Sequence, residues 1–134
     1  MAKFTFELVS PEKLLFSADI DMVELPASEG YMGVLPGHAP MIVTLQGGVI
    51  RIHDDGQVTR RLYVAGGFAE VTATRTTVLA DEATPVEELS RDTAATRIAA
   101  AEAAYQEAAL AAPAVRDAAF AKLQAARAMR DAAA

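Results

Sequence analysis

Near residue 85 the chain changes its pattern, and that change constrains the fold more than any single motif. Before it, β-branched and aromatic residues recur; beyond it alanine dominates, with 21 of the 46 residues from Leu89 to Ala134. A pleated sheet buries bulky side chains on one face, whereas alanine lets two helices approach along a narrow seam. The shift therefore predicts two units, residues 1–86 and residues 87–134.

In the first unit KFTFELV sets Phe4, Phe6 and Leu8 against Lys3, Thr5 and Glu7, the period of a half-buried strand. IDMVELPA reads as another, ended by Pro26. GGVIRIH and QVTRRLYVAGG flank Asp54-Asp55-Gly56, a hairpin with its turn supplied. FAEVTA and TTVLADEA flank a short turn at Thr74–Arg75. With no helix-length pattern between them, these segments predict an antiparallel β-sandwich or barrel. Gly47-Gly48 and Gly66-Gly67 fall at strand ends, where a positive φ or a bulge suits glycine.

Thr84-Pro85-Val86-Glu87 has the spacing of a capping box with proline at the first helical position, and Ser90 with Asp92 offers a second start. The helix is expected to run to about Leu110, break at Ala111-Ala112-Pro113, and resume from about Ala114 towards Asp131. So short a break predicts an antiparallel two-helix hairpin. Its large apolar residues are few: Ile98 and Tyr105 on the first helix, and Val115, Phe120, Leu123 and Met129 on the second. Little apolar area is then available to hold the hairpin down, as suits a detachable element or a marginal appendage.

A formal net charge of −6 argues against binding driven by nucleic-acid phosphates. With no cysteine there is neither a disulfide nor a thiolate metal site. MAKFTFELVS lacks the apolar run of a signal peptide, and nowhere do enough apolar residues follow one another to span a bilayer. Any membrane association is expected to come through a partner. His38 and His53 lack metalloenzyme spacing, the serines lack a nucleophile elbow, and no phosphate loop of the GxxxxGK type occurs. Neither an enzyme, a cofactor nor a metal is expected.

EGYMGVLPGHAP (29–40) packs three glycines, two prolines and a histidine into one short stretch. It reads either as a tight turn with His38 satisfied by backbone, or as a contact loop presenting Tyr31 and Met32. The run Ser28-Glu29-Gly30-x-x-Gly33-x-x-Pro36-Gly37-His38-Ala39-Pro40, followed by Gly48-x-Ile50-Arg51-Ile52, resembles the epsilon subunit of bacterial F-type ATP synthases. Gly66-Gly67-Phe68-x-Glu70-Val71 and Thr77-Val78-Leu79-Ala80-Asp81 carry the resemblance on, and the alanine-rich tail has the right size.

The resemblance implies a β-sandwich of about ten strands bearing a C-terminal two-helix domain. Such a subunit sits in the central rotor, on gamma and against the c ring, at the cytoplasmic face of the bacterial inner membrane. It couples rotation to ATP synthesis without catalysing it. Carried over by position, Glu29, Gly30, Tyr31 and Met32 correspond to the loop that meets the c ring, with Tyr31 where relatives often have an acid. Ser10, His38 and Val43 match gamma-facing positions, Val43 replacing a threonine of some relatives.

ATP-binding relatives carry Ile/Leu-Asp-x-x-Arg-Ala at the first helix; Leu89-Ser90-Arg91-Asp92-Thr93-Ala94 departs at Ser90 and Thr93, which argues against ATP sensing. In inhibitory relatives a basic second helix meets the alpha and beta catalytic subunits. Arg116, Arg127 and Arg130 fall within about 60° of one another on the second helix. They are the candidates for such contact, or a solvated face diluted by Asp117 and Asp131. The expectation is weak or absent inhibition; the alternative is a nucleotide-responsive module whose hairpin switches hydrolysis off.

Overall fold

The computed structural model describes residues 2–133. Ten strands precede two helices: β1 Phe4–Val9, β2 Leu14–Ile20, β3 Met22–Ala27, β4 Gly30–Val34, β5 Met41–Leu45, β6 Gly48–Asp54, β7 Gln57–Val64, β8 Gly67–Val71, β9 Arg75–Ala80 and β10 Ala83–Pro85, then α1 Arg91–Glu107 and α2 Pro113–Ala132. The strands form one continuous sheet in the order β10-β7-β6-β3-β5-β8-β9-β1-β2, with β4 also on β3. At β3 the sheet changes direction. Met22, Val23 and Glu24 pair with β6, while Ala27 pairs with Leu45 of β5. The two limbs thus face each other across a single core of Phe4, Phe6, Leu8, Val23, Leu25, Ile50, Ile52, Leu62, Val71 and Val78, among others.

The alternation that marks β1 as a strand is realised residue by residue: Phe4, Phe6 and Leu8 are buried, with Thr5, Glu7 and Val9 turned outward. One pairing departs from the antiparallel expectation. β1 lies parallel to β9, Thr5 opposite Arg75 and Val9 opposite Leu79. Alternation fixes which face a side chain takes but not the direction of a partner strand. The IDMVELPA segment is divided at Asp21, between β2 and β3.

The Asp54–Gln57 hairpin has positive φ at both central residues, Asp55 (52°) and Gly56 (78°), as a tight two-residue turn with the twist of the flanking strands requires. Gly66 and Gly67 also adopt positive φ (144° and 132°). Gly47 and Gly48 do not; their lack of a side chain serves close approach instead. A Cβ on Gly48 would lie 2.6 Å from Pro26 Cβ and 2.7 Å from the Tyr31 hydroxyl.

The capping box at Thr84 does not form. Thr84 and Pro85 are taken into β10, paired with Tyr63 and Leu62, and Val86–Glu88 make a short 3-10 turn. Strand pairing here satisfies backbone groups that a helix start would have used. Helix α1 begins at the second candidate: Ser90 Oγ accepts from Thr93 N at 3.3 Å. Pro113 opens α2, where its missing N–H costs no hydrogen bond. Tyr105 and Phe120 meet across the hairpin, ring centroids 5.5 Å apart. Val115 is exposed, and Leu123 and Met129 are buried.

Thr76 lies wholly inside the core, and its hydroxyl has no hydrogen-bond partner among the described residues. An unpaired buried hydroxyl opposes folding by about 1–3 kcal/mol. Thr76→Val should therefore raise stability by about 1 kcal/mol, read as a higher urea midpoint at unchanged slope.

Candidate interaction surfaces

The β3–β4 hairpin turns through Ser28 and Glu29, between the paired residues Ala27 and Gly30. Glu29 is exposed, and Gly30 takes a φ of 133°, open to glycine and strained for other residues. Tyr31 does not project from the tip. It is a strand residue opposite Pro26, half exposed, with its hydroxyl accepting from Val49 N at 2.9 Å. The Arg51 guanidinium stands 5.6 Å from its ring centroid. Met32 is partly buried against the core. Of the four positions expected at this tip, Glu29 and Gly30 are free for a partner, Tyr31 offers one ring face, and Met32 is mostly committed to packing.

The outer face of the β5-β8-β9-β1-β2 limb is different. Its register aligns Thr44, Phe68, Leu79, Val9 and Leu14 in one row across five strands. The next row runs Ile42, Glu70, Thr77, Glu7 and Ser17. Ile42 is 74% exposed, Leu14 53% and Phe68 48%, which leaves an apolar band with a polar margin. Ser10 follows β1 at one end of this limb, and His38 precedes β5 at the other. Ser10 Oγ accepts from Lys13 N at 3.2 Å and closes a turn. His38 donates its Nδ1–H to Ala39 O at 2.7 Å, the backbone satisfaction that the tight-turn reading expects.

Val43 belongs to the core at 7% exposure, facing Ala69 rather than solvent. The side chain available to a partner on that strand is Ile42. The sequence carried a signal for it. Two adjacent apolar residues on one strand cannot both face the core, and Phe68 shares its face with the charged Glu70.

The outer face of the other limb is covered in part by the hairpin. Tyr63, flanked by the inward Leu62 and Val64, points outward and is fully buried among Ala94, Met129, Ala65, Leu89 and Ala128. Its hydroxyl donates to Ala125 O of α2 at 2.7 Å. Glu82 and Arg97 of α1 form a two-pronged ion pair at 2.6 and 2.7 Å. The Arg116, Arg127 and Arg130 side chains are exposed; Arg130 Nε reaches Asp131 Oδ1 at 3.2 Å. No metal-binding group of acidic, histidine or cysteine side chains occurs among the described residues, and no helix is long and apolar enough to cross a membrane.

Burial pushes the Tyr63 phenol up to about 12, with the Glu82 carboxylate adding to the rise and Arg97 opposing it. The unfolded chain releases this proton near pH 10, before the folded one does. Stability should therefore hold up to about pH 9 and fall by about 2 kcal/mol between about pH 9 and 11.5, measured by urea unfolding, a loss absent in Tyr63→Phe.

Residues 3–86 match the family described as ATP synthase, Delta/Epsilon chain, beta-sandwich domain. The chain is 59% identical to an ATP synthase epsilon chain of Granulibacter bethesdensis, the match spanning 99% of this chain and 98% of that one. It is 47% identical to an ATP synthase epsilon chain of Gluconacetobacter diazotrophicus, over 99% and 94% of the two chains. A chain of the Euglena gracilis mitochondrial ATP synthase, solved as OSCP/F1/c-ring, superposes with a TM-score of 0.78 at 25% identity, over 98% of this chain and 82% of that one. A chain from the Tetrahymena thermophila mitochondrial ATP synthase, central stalk/c-ring, shares the fold at a TM-score of 0.70 and 15% identity, over 99% and 98%.

Proposed function

The chain belongs to the delta/epsilon family of ATP synthase, and from that premise we propose that it links gamma to the c ring in the central rotor and couples rotation to ATP synthesis. It is a non-catalytic subunit of the complex. Residues 1–86 make the coupling unit and residues 87–134 a regulatory hairpin. The site of action is the cytoplasmic face of the bacterial inner membrane, reached through the complex.

The observation that carries this reading is the apolar band of Ile42, Phe68 and Leu14 between Ser10 and His38. It crosses five strands and has a polar margin, which suits a partner laid across them, and gamma is that partner. The c ring meets the β3–β4 tip through Glu29, Gly30 and the exposed side of Tyr31. Ser28 N donates to Thr44 O at 2.9 Å, tying the tip to the end of the sheet that also carries Gly67 and Val9. The tip and the turn at Ser10 therefore share one end of the sandwich, with His38 at the other.

The absence of nucleotide sensing rests on the altered residues themselves, Ser90 and Thr93 standing where ATP-binding relatives have aspartate and arginine. Ser90, where ATP-binding relatives have aspartate, is used as the cap of α1 through the Thr93 amide. The three exposed arginines suit acidic contacts on catalytic subunits, yet surface pairs contribute only about 0–1 kcal/mol each. Weak or absent inhibition follows.

Two measurements test these assignments. Ile42→Asp combined with Phe68→Asp should weaken gamma binding at least about tenfold while leaving the melting temperature of the isolated chain nearly unchanged, because both side chains are already exposed. Unaltered affinity would remove this face from the interface. In the soluble head complex, a chain ending at Glu88 should give the same ATP hydrolysis rate as the full chain. A several-fold rise would make the hairpin an intrinsic brake.

A further inference from the structure

Helix α2 approaches the sandwich where the strand connection carries no side chain. A Cβ on Gly47 would lie 2.5 Å from Ala125 Cα and 2.8 Å from Ala125 Cβ, so the two backbones are as close as glycine permits. At that point Tyr63 donates its hydrogen bond to Ala125 O. Among the described residues this is the only hydrogen bond between α2 and the sandwich.

Beside this cluster the seam is partly open. A cleft of about 850 Å³ opens between hairpin and sandwich, lined on the helical side largely by alanines such as Ala100, Ala104, Ala118 and Ala121. The Glu82–Arg97 ion pair is partly exposed and so screened by water and salt. Tyr63 is placed apart from the sandwich core, because its neighbours Leu62 and Val64 take the inward positions. Lifting the hairpin would uncover the Tyr63 ring and leave the core intact.

We propose that Tyr63 is the latch of the helical hairpin: its buried hydroxyl, which α2 reaches because Gly47 leaves room for Ala125, sets the fraction of molecules in which α2 lies on the sandwich. The inference rests on residues 1–86 and 87–134 being separate units. Lifting costs the aromatic burial, its packing with Ala94 and Met129 and the Ala125 bond together, so the docked state is centred on Tyr63.

Native-state hydrogen exchange on the full chain tests the latch. In Tyr63→Phe the amides around Ala125 should exchange about fivefold faster, the loss of one net hydrogen bond, with β1 amides unchanged. Gly47→Ala, which leaves Tyr63 in place, should produce the same selective opening. Unchanged α2 exchange in both variants, with β1 slower than α2 in the parent chain, overturns the latch and leaves the two-unit division standing. Equal acceleration of α2 and β1 overturns both, since Tyr63 would then belong to one cooperative core.

Discussion

Strand β1 pairs in parallel with β9, so residues 5–9 are held beside residues 75–79. Both faces of the sandwich depend on that register. Inward, it brings Phe6 and Leu8 level with Thr76 and Val78, all fully or almost fully buried. Outward, it joins Val9 to Leu79 and so completes the apolar row from Phe68 to Leu14. Because side chains alternate, a slip of one residue would turn the phenylalanines to solvent and break the outer row at once. The core and the exposed apolar row are therefore two consequences of a single pairing.

The opposite limb uses its outward positions for internal work. Tyr31 and Tyr63 both point away from the main core, and both give their hydroxyls to backbone: one accepts from Val49 N, the other donates to Ala125 O. Each approach needs a glycine. Gly48 leaves room for the Tyr31 hydroxyl, and Gly47 for the helix itself. Polar aromatic residues thus organise the side of the sandwich that carries the hairpin, while aliphatic and phenyl groups are left outward on the other side. This asymmetry separates an exposed apolar face from a face used by the chain's own helices.

The hairpin is built to be helical before it is built to be docked. Alanine favours the helix and Pro113 starts its second arm cleanly, but alanine buries little area. Ser90, one of the positions that departs from the nucleotide-binding pattern, is occupied in capping α1.

Alternation in KFTFELV, the Asp54-Asp55-Gly56 turn, the change to alanine and the break at Pro113 were enough to read a strand-rich unit followed by a helical hairpin, because each is a local property of a few neighbouring residues. The glycine-proline-histidine run was enough to name the family. The parallel β1–β9 pair was not legible, since alternation carries no strand direction. The capping box at Thr84 was legible but misleading, because pairing with Tyr63 captured that residue for β10. Val43 sat at a matched position, yet the register turned it inward and left Ile42 exposed. Sequence by itself determined which segments are strands or helices and what the family is. Tertiary structure alone decided which side of each strand stays exposed and where the hairpin lies, because those depend on residues far apart in the chain meeting at fixed register.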